Sequence, residues 1–241
     1  MKTTRMAMII AAFFAVIFSA VPGQAQFEGK IEYLVSADGK DVNVSYSSKG
    51  DNMRFDLLKA IGPIPGGMSA IINMEDKQAI LLMKEQKMAM VTSIDGLTNI
   101  AARQKSLKKK DVDEATIIKT GKTKSIAGYS CEQWVLRSKK QKKGNETLEV
   151  WTAKQLGGIK LLSELLKDSQ EWMEKFDEAL GKNGGLPLLV ISKDNKGKET
   201  LRLEATNVSK DEITDATFQT PAGYQIIDQS KMQMDGEPAE Q

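Results

Sequence analysis

Apolar and polar residues alternate with a period of two over long stretches after residue 26, and this pattern constrains the fold more than any other feature of the chain. From Phe27 to Val35, every second position is apolar or glycine. That is the period of a strand with one buried face. Asp38-Gly39 then favours a tight turn, and the alternation returns in residues 42–46 and 53–57. The sequence therefore predicts an antiparallel meander.

Further strands are predicted from the same alternation and from short apolar runs separated by turn residues. Their ranges are 69–74, 78–84, 87–92, 116–119, 129–137, 147–152, 188–192 and 201–208, with a last extended stretch that ends at Ile227. Residues 59–69, with several glycines and prolines, are predicted to form an irregular loop, and residues 121–125 a polar connection.

Two segments have the apolar spacing of amphipathic helices, residues 95–109 and 154–181. The main apolar residues of the longer helix are Leu162, Leu165, Trp172, Met173 and Phe176. The predicted fold class is therefore α+β, a single curved antiparallel β-sheet with helices packed on its concave face. We expect one domain over residues 26–228 and a disordered polar tail over residues 229–241.

Residues 1–25 have the three parts of a secretory signal peptide. A basic start precedes an apolar run at residues 6–20, and the small residues Gly23 and Ala25 follow. We expect cleavage after Ala25 and a location in the periplasm. The apolar run is shorter than the roughly 20 residues that a membrane span needs. Gln26 stands where a lipoprotein would have cysteine, so no lipid anchor is expected.

The composition argues against several classes of function. Removal of residues 1–25 leaves 216 residues with 32 basic and 32 acidic side chains, a balance that does not favour nucleic-acid binding. The chain has no histidine, the commonest general base and metal ligand. Its one cysteine, Cys131, forms no internal disulfide; it is expected to be a small buried hydrophobe, with an intermolecular disulfide as the alternative. No Gly-x-Ser-x-Gly motif is present, and we expect no catalytic residue, metal or cofactor.

Three segments of the sequence resemble one bacterial family. They are TGKTKSIAGYSCE at residues 120–132, EVWTA at residues 149–153 and ATFQTPAGY at residues 216–224, after an opening FEGKI at residues 27–31. Together they are similar to the secreted DUF4412 family, a relative of the lipoprotein-carrier (LolA/LolB-like) superfamily. The resemblance implies a half-barrel whose curved sheet wraps an apolar cavity that helices plug or cover. It also implies a role in handling hydrophobic ligands or lipoproteins, and no catalytic residue.

Methionines concentrate in the middle strands, at Met68, Met74, Met83, Met88 and Met90. Methionine is flexible and polarizable, so it suits adaptable apolar surfaces. The hypothesis is that an apolar ligand contacts a cavity or lid formed by two groups of residues. These are Met74, Met83, Met88 and Met90 in the strands, and Leu162, Leu165, Trp172, Met173 and Phe176 in the longer helix. The alternatives are ordinary core packing and a copper site of thioethers.

Residues 103–143 contain 13 basic and 4 acidic side chains. Such an excess is typical of a surface that meets anionic lipid or an acidic partner, and also of solvated loops. Peripheral contact with a membrane would then use the basic loops.

The expected function is that of a periplasmic, non-enzymatic binding or carrier protein. Its ligand would be apolar, either a lipid or an acylated peptide or lipoprotein. The alternative is an interaction or stress-sensing module of the bacterial envelope that uses the same fold to recognise a protein partner. Neither function involves nucleic acid.

Overall fold

The structure, a computed structural model, describes residues 27–37, 39–57, 59, 67–94, 115–138, 146–157 and 185–229. These residues form twelve strands in one sheet. The strands are β1 (Gly29–Ala37), β2 (Lys40–Lys49), β3 (Asn52–Leu57), β4 (Met68–Asn73), β5 (Gln78–Met83), β6 (Met88–Ser93), β7 (Ala115–Ile126), β8 (Tyr129–Ser138), β9 (Glu146–Ala153), β10 (Leu186–Lys193), β11 (Glu199–Ser209) and β12 (Gln225–Asp228).

The predicted α+β class is wrong. The described chain is an all-β sheet, and the complete helical elements within it are two short 3-10 helices, Lys154–Leu156 and Asp215–Phe218. The longer helix was predicted to begin at Lys154. Instead, the 3-10 turn there ends at Gly157, whose φ of 72° is left-handed and breaks helical continuity. The predicted helical residues 95–109 and 158–181 lie outside the described residues.

The strand order is β12-β6-β5-β4-β3-β2-β1-β11-β10-β9-β8-β7. Two meanders, β1 to β6 and β7 to β11, are joined through the antiparallel pair of β1 with β11. One pair departs from the antiparallel prediction, because β12 runs parallel to β6. The predicted connection at residues 121–125 is also wrong. There β7 continues, with an irregular register between Lys119 and Thr123.

The sheet is strongly curled at its β7 to β11 end. β7 and β11 are four positions apart in the strand order, which in a flat sheet would separate them by about 19 Å. In the structure they approach within 8 Å between Cα atoms. The side chain of Tyr33 on β1 lies on the concave side, because its hydroxyl donates a 2.9 Å hydrogen bond to the carbonyl of Pro187 two strands away. We call the face that carries Tyr33 the inner face.

The inner face forms most of the core. Strand registers place the alternate apolar residues of β1, β2, β3, β11, β10 and β9 on this face. Its most buried large side chains include Tyr33, Tyr46 and Met53, each 1% exposed or less. The rings of Tyr46 and Phe55 lie 5.0 Å apart, within the range of favourable aromatic pairs. Burial of these aromatic and branched side chains supplies the main driving force for folding.

The outer face of β4, β5 and β6 is covered by residues 210–224, which we call the strap. The strap inserts Phe218, only 8% exposed, into a second apolar cluster with Ile71, Leu82 and Ala89. These three strands are therefore covered on their outer face and partly buried on their inner face. That explains why their sequences are nearly continuous apolar runs instead of alternating ones.

A polar network beside Phe218 also holds the strap. Arg54 donates from Nη1 to the carbonyl of Thr217 over 2.8 Å, and donates twice to the Asp56 carboxylate at 2.9 Å. Ser69 and Lys84 donate to the same carboxylate. Burial raises the pKa of Asp56, but these hydrogen bonds and the Arg54 charge outweigh burial and lower that pKa to about 2.

Candidate functional site

A row of methionines crosses the inner face at one end of β4, β5 and β6. Met68 pairs with Met83, and Met83 pairs with Met88. In the next row Met90 lies opposite Leu81. We call Met68, Met83, Met88 and Met90 the methionine row. All four are partly exposed, whereas the inner-face side chains of β1 and β2 are buried. The methionine row is therefore an accessible part of an otherwise buried apolar face.

The structure brings three of the four predicted strand methionines together and separates the fourth. Met83, Met88 and Met90 belong to the methionine row. Met74 follows the opposite end of β4, is 8% exposed, and donates its backbone N–H to the carbonyl of Asp51. Six residues of extended chain, about 20 Å, separate it from Met68. The predicted residues Leu162, Leu165, Trp172, Met173 and Phe176 lie outside the described residues.

A charged group at the other end of the sheet was not predicted. Glu132 on β8 forms ion pairs through its Oε2 atom with two lysines. The Nζ atom of Lys119 on β7 lies at 2.8 Å, and that of Lys154 in the first 3-10 helix lies at 3.3 Å. The Lys119 ammonium also lies 5.5 Å from the ring centre of Trp134, within cation–π range. We call these four residues the two-lysine cluster. It holds two positive charges and one negative charge.

Electrostatics within the two-lysine cluster favour its ionised form. The hydrogen bond from Lys119 lowers the pKa of Glu132, with a further contribution from Lys154. The same bond raises the pKa of Lys119. Both ammonium groups reach solvent, since the Lys119 and Lys154 side chains are 40% and 47% exposed. The cluster therefore keeps one unit of positive charge near neutral pH.

One member of this cluster, Trp134, and one neighbouring residue, Thr152, each have a buried polar atom without a partner in the described part of the chain. The indole Nε1 of Trp134 and the hydroxyl of Thr152 are removed from solvent and have no hydrogen-bond partner among the described residues. Trp134 is 5% exposed and Thr152 is fully buried. Each such group left unsatisfied costs about 1–3 kcal/mol. Buried polar groups in folded proteins are rarely left so, and each exception calls for an explanation.

Strand registers place both groups on the inner face with the methionine row. Met68 pairs with Leu57, Leu57 pairs with Val44, and Val44 pairs with Tyr33. The hydroxyl of Tyr33 bonds the carbonyl of Pro187, which pairs with Thr152, and Thr152 pairs with Glu132. One cross-strand row of the curled sheet therefore has methionines towards one end and the two-lysine cluster towards the other.

Sequence reasoning missed this cluster because its members come from three separate elements. One signal was present. The predicted strand at residues 129–137 has Trp134 and Leu136 on one face, and period-two alternation extends that face to Glu132. A carboxylate on the apolar face of a strand is unusual and needs partners.

Metal binding and thiol chemistry have little support in the described part of the chain. Within those residues, no group of three or more histidine, cysteine, aspartate or glutamate side chains is arranged to hold a metal ion. Burial raises the pKa of Cys131 to about 11, so its thiol is a poor nucleophile at neutral pH. None of the helices in the described ranges has the length and apolar character to cross a membrane.

The sequence from residue 27 to residue 224 matches the family model described as "Domain of unknown function (DUF4412)". The chain belongs to the DUF4412 family. The match includes the three segments on which the resemblance was based and confirms that resemblance. No curated protein matches the sequence.

Several solved structures are similar to the DUF4412 chain at low sequence identity. An uncharacterized conserved protein from Thermus thermophilus has a TM-score of 0.49 and 11% identity, over 92% of this chain and 99% of that one. A chain in the MucA/MucB complex of Pseudomonas aeruginosa has a TM-score of 0.48 and 12% identity, over 94% of this chain and 64% of that one. A LolA superfamily protein from Nitrosomonas europaea has a TM-score of 0.30 and 11% identity, over 89% and 97%.

Proposed function

We propose that this DUF4412 chain is a non-enzymatic periplasmic binding protein that holds an apolar ligand, the acyl chain of a lipid or lipoprotein, against the methionine row. The observation that carries the proposal is the contrast in burial along the inner face. Its centre is closed, while Met68, Met83, Met88 and Met90 remain partly exposed on a continuous apolar surface. Flexible thioethers adapt to chains of varied shape.

Burial of an acyl chain supplies the affinity in this proposal. Each methylene group removed from water contributes about 0.8 kcal/mol. Ten methylenes therefore contribute about 8 kcal/mol before the cost of ordering both partners is subtracted, so affinity should rise with the length of the acyl chain. No charged residue of the chain has to react, which agrees with a function in binding.

The test is equilibrium binding of dodecanol to the mature protein and to the variant Met83→Gln/Met88→Gln. Glutamine keeps the length of the side chain, and both sites are partly exposed, so the variant is expected to fold. We expect dodecanol binding to weaken at least tenfold. The matched control is Ile226→Gln, at a 61% exposed position on β12, which should bind as wild type. Equal dodecanol affinity in all three proteins would refute the proposal.

The periplasmic part of the proposal rests on residues 1–25 and has its own test. Expression of the full chain in a Gram-negative host followed by osmotic shock should release a protein whose first residue is Gln26. Retention of an uncleaved chain in the cytoplasm would contradict this location and leave the binding proposal unaffected.

A further inference from the structure

We infer that the edge of β7 that faces away from β8, which we call the β7 edge, is a docking site for an extended acidic segment of a partner protein. The segment adds to the sheet as a further strand. Recognition of this kind takes its affinity from main-chain hydrogen bonds and its selectivity from alternate side chains. The inference goes beyond the proposed function, because it uses β7 and none of the methionine row.

The first support is the position and length of β7. It is the last strand in the order of the sheet, so among the described residues it is paired on its β8 side alone. It approaches β11 without pairing with it. Proteins commonly keep edge strands short, because their free backbone groups invite another strand. The opposite edge strand, β12, has four residues, but β7 has twelve.

The second support is the set of side chains on the outer face of β7. Lys119 and Thr123 pair with Trp134 and Glu132 of the inner face, so their neighbours Ile118, Lys122 and Lys124 point outward. Within the described ranges, two large apolar side chains are exposed, and they lie on the two edge strands. Ile118 on β7 is one of them, at 39%. An added strand therefore meets an apolar side chain near one end and two cations near the other.

The third support is the charge of the strand. β7 contains three lysines and no acidic residue. Glu132 balances Lys119, but Lys122 and Lys124 are exposed and have no ion-pair partner in the part of the chain that the structure describes. Opposite charges on neighbouring strands stabilise pairing by about 0.2–1 kcal/mol, and like charges directly opposite each other destabilise it. The β7 edge therefore favours an acidic strand.

Lysines and irregular registers also protect an edge against unwanted pairing. β7 has both, since its register shifts between Lys119 and Thr123. This protection is selective. Pairing of β7 with β7 of a second copy would bring the lysines of both copies together, whereas an acidic segment neutralises them. The same residues thus act against self-association and in favour of an acidic partner.

The β7 edge is already in the conformation that a partner strand needs. The hydroxyl of Thr120 donates to Oε1 of Gln133 on β8 over 2.9 Å, and Lys119 bonds Glu132 on the same strand. These contacts hold β7 to β8 on both sides of the sheet. Since the strand is extended before binding, most of the ordering cost falls on the peptide.

The experiment measures binding of three synthetic peptides to the mature protein by fluorescence anisotropy. The first, of about eight residues, a usual strand length, alternates threonine with glutamate in one half and with valine in the other. The second has lysine in place of glutamate. The third is the acidic peptide N-methylated at two neighbouring central residues, which blocks both of its edges. We expect the first to bind at least tenfold more tightly than either control.

Charge-reversal variants locate the site. Lys122→Glu/Lys124→Glu should weaken the acidic peptide at least tenfold and strengthen the lysine peptide. The matched control is Lys196→Glu/Lys198→Glu, which changes two exposed lysines at the same spacing in the turn between β10 and β11 and should bind as wild type. Ile118→Thr, at an exposed position, should weaken the acidic peptide several-fold and keep its preference over the lysine peptide.

Hydrogen exchange supplies a structural readout. Addition of a strand should slow exchange at alternate amides of β7 and leave β12 unchanged, because only amides that face the peptide gain a hydrogen bond. Binding of the acidic peptide without this protection would mean general attraction to lysines and would overturn the inference. Equal affinity for the acidic and N-methylated peptides would overturn it as well.

A membrane is the other acidic surface that these lysines could meet. Phosphatidylglycerol vesicles that bind through Lys122 and Lys124, with no binding of the acidic peptide, would overturn the inference in favour of a lipid contact. The proposed function is tested separately, because dodecanol binding depends on Met83 and Met88. Failure of the β7 edge to bind peptide leaves that result unchanged.

Discussion

Replacement of Phe218 by alanine tests whether the strap is an integral part of the fold. The ring is 8% exposed and packs into the cluster of Ile71, Leu82 and Ala89 on the outer face. A phenylalanine buries at least about 150 Å², which at about 25 cal/mol per Å² is worth close to 4 kcal/mol. Substitution of buried phenylalanine by alanine costs about 3–5 kcal/mol in other cores. We therefore expect a loss of about 3–4 kcal/mol.

Urea unfolding followed by circular dichroism measures this loss, and hydrogen exchange locates it. The expected site of faster exchange is β12 together with its partner β6, because the strap leads directly into β12 and Gln225 donates to the carbonyl of Lys87 over 2.8 Å. The matched control is Ile226→Ala. That side chain is 61% exposed, so its removal should change stability by less than about 0.5 kcal/mol.

The result that would refute this reasoning is a Phe218→Ala variant as stable as the control. A loss below about 1 kcal/mol would mean that the strap contributes little and that β4 to β6 are stable with the outer face uncovered. A full loss without faster exchange in β12 would place the effect in the cluster itself and not in the docking of the strap.

Two further predictions concern single positions. The pKa of Asp56 is lowered from 3.8 to about 2, so this carboxylate should stabilise the fold by roughly 2 kcal/mol above pH 4 and lose that contribution as the pH falls through 2. Urea midpoints measured from pH 5 to pH 2 should therefore fall more steeply for wild type than for Asp56→Asn. Parallel curves would contradict a contribution of Asp56 to the pH dependence of stability. A Cβ at Gly29 would lie 2.2 Å from the carbonyl oxygen of Ser209 at a φ of +141°, whereas at Gly39 it would meet nothing within 4 Å at a φ of +74°. Gly29→Ala should cost at least 3 kcal/mol and Gly39→Ala about 1 kcal/mol by urea unfolding, and similar losses would show that the backbone near Ser209 gives way.

The strands were predictable because their pattern is local. Period-two alternation identifies β1, β2 and β3 directly, and short apolar runs identify β4 to β6. Two features were not predictable in this way. The parallel pairing of β12 depends on the strap crossing the outer face, and the strap's own sequence does not indicate which strands it covers. The start predicted for the longer helix, at Lys154, is instead a 3-10 turn that ends at Gly157, a glycine in a left-handed conformation.

The candidate site was predictable only where it depends on local alternation within a strand. Strand parity was enough to bring Met83, Met88 and Met90 to one face. Met74 was grouped with them by its closeness in sequence, but it lies beyond the opposite end of β4. The meeting of Lys119 with Lys154 at Glu132 depends on the registers of β7, β8 and β9. The register of β7 against β8 also shifts between Lys119 and Thr123, an irregularity that period-two alternation does not reveal.

The pairing of β1 with β11 also determines when the sheet can form. β1 comes first along the chain among the described strands, yet its Tyr33 pairs with Ala205 of β11, so most of the chain lies between the two partners. Closing so long a loop is slow, because conformational entropy of the chain is lost before the contacts that compensate for the loss can form. While the chain is being synthesised, the two meanders can exist only as separate hairpins with open edges. The joined sheet, and with it the row that links the methionines to the lysines, forms only once β11 is complete.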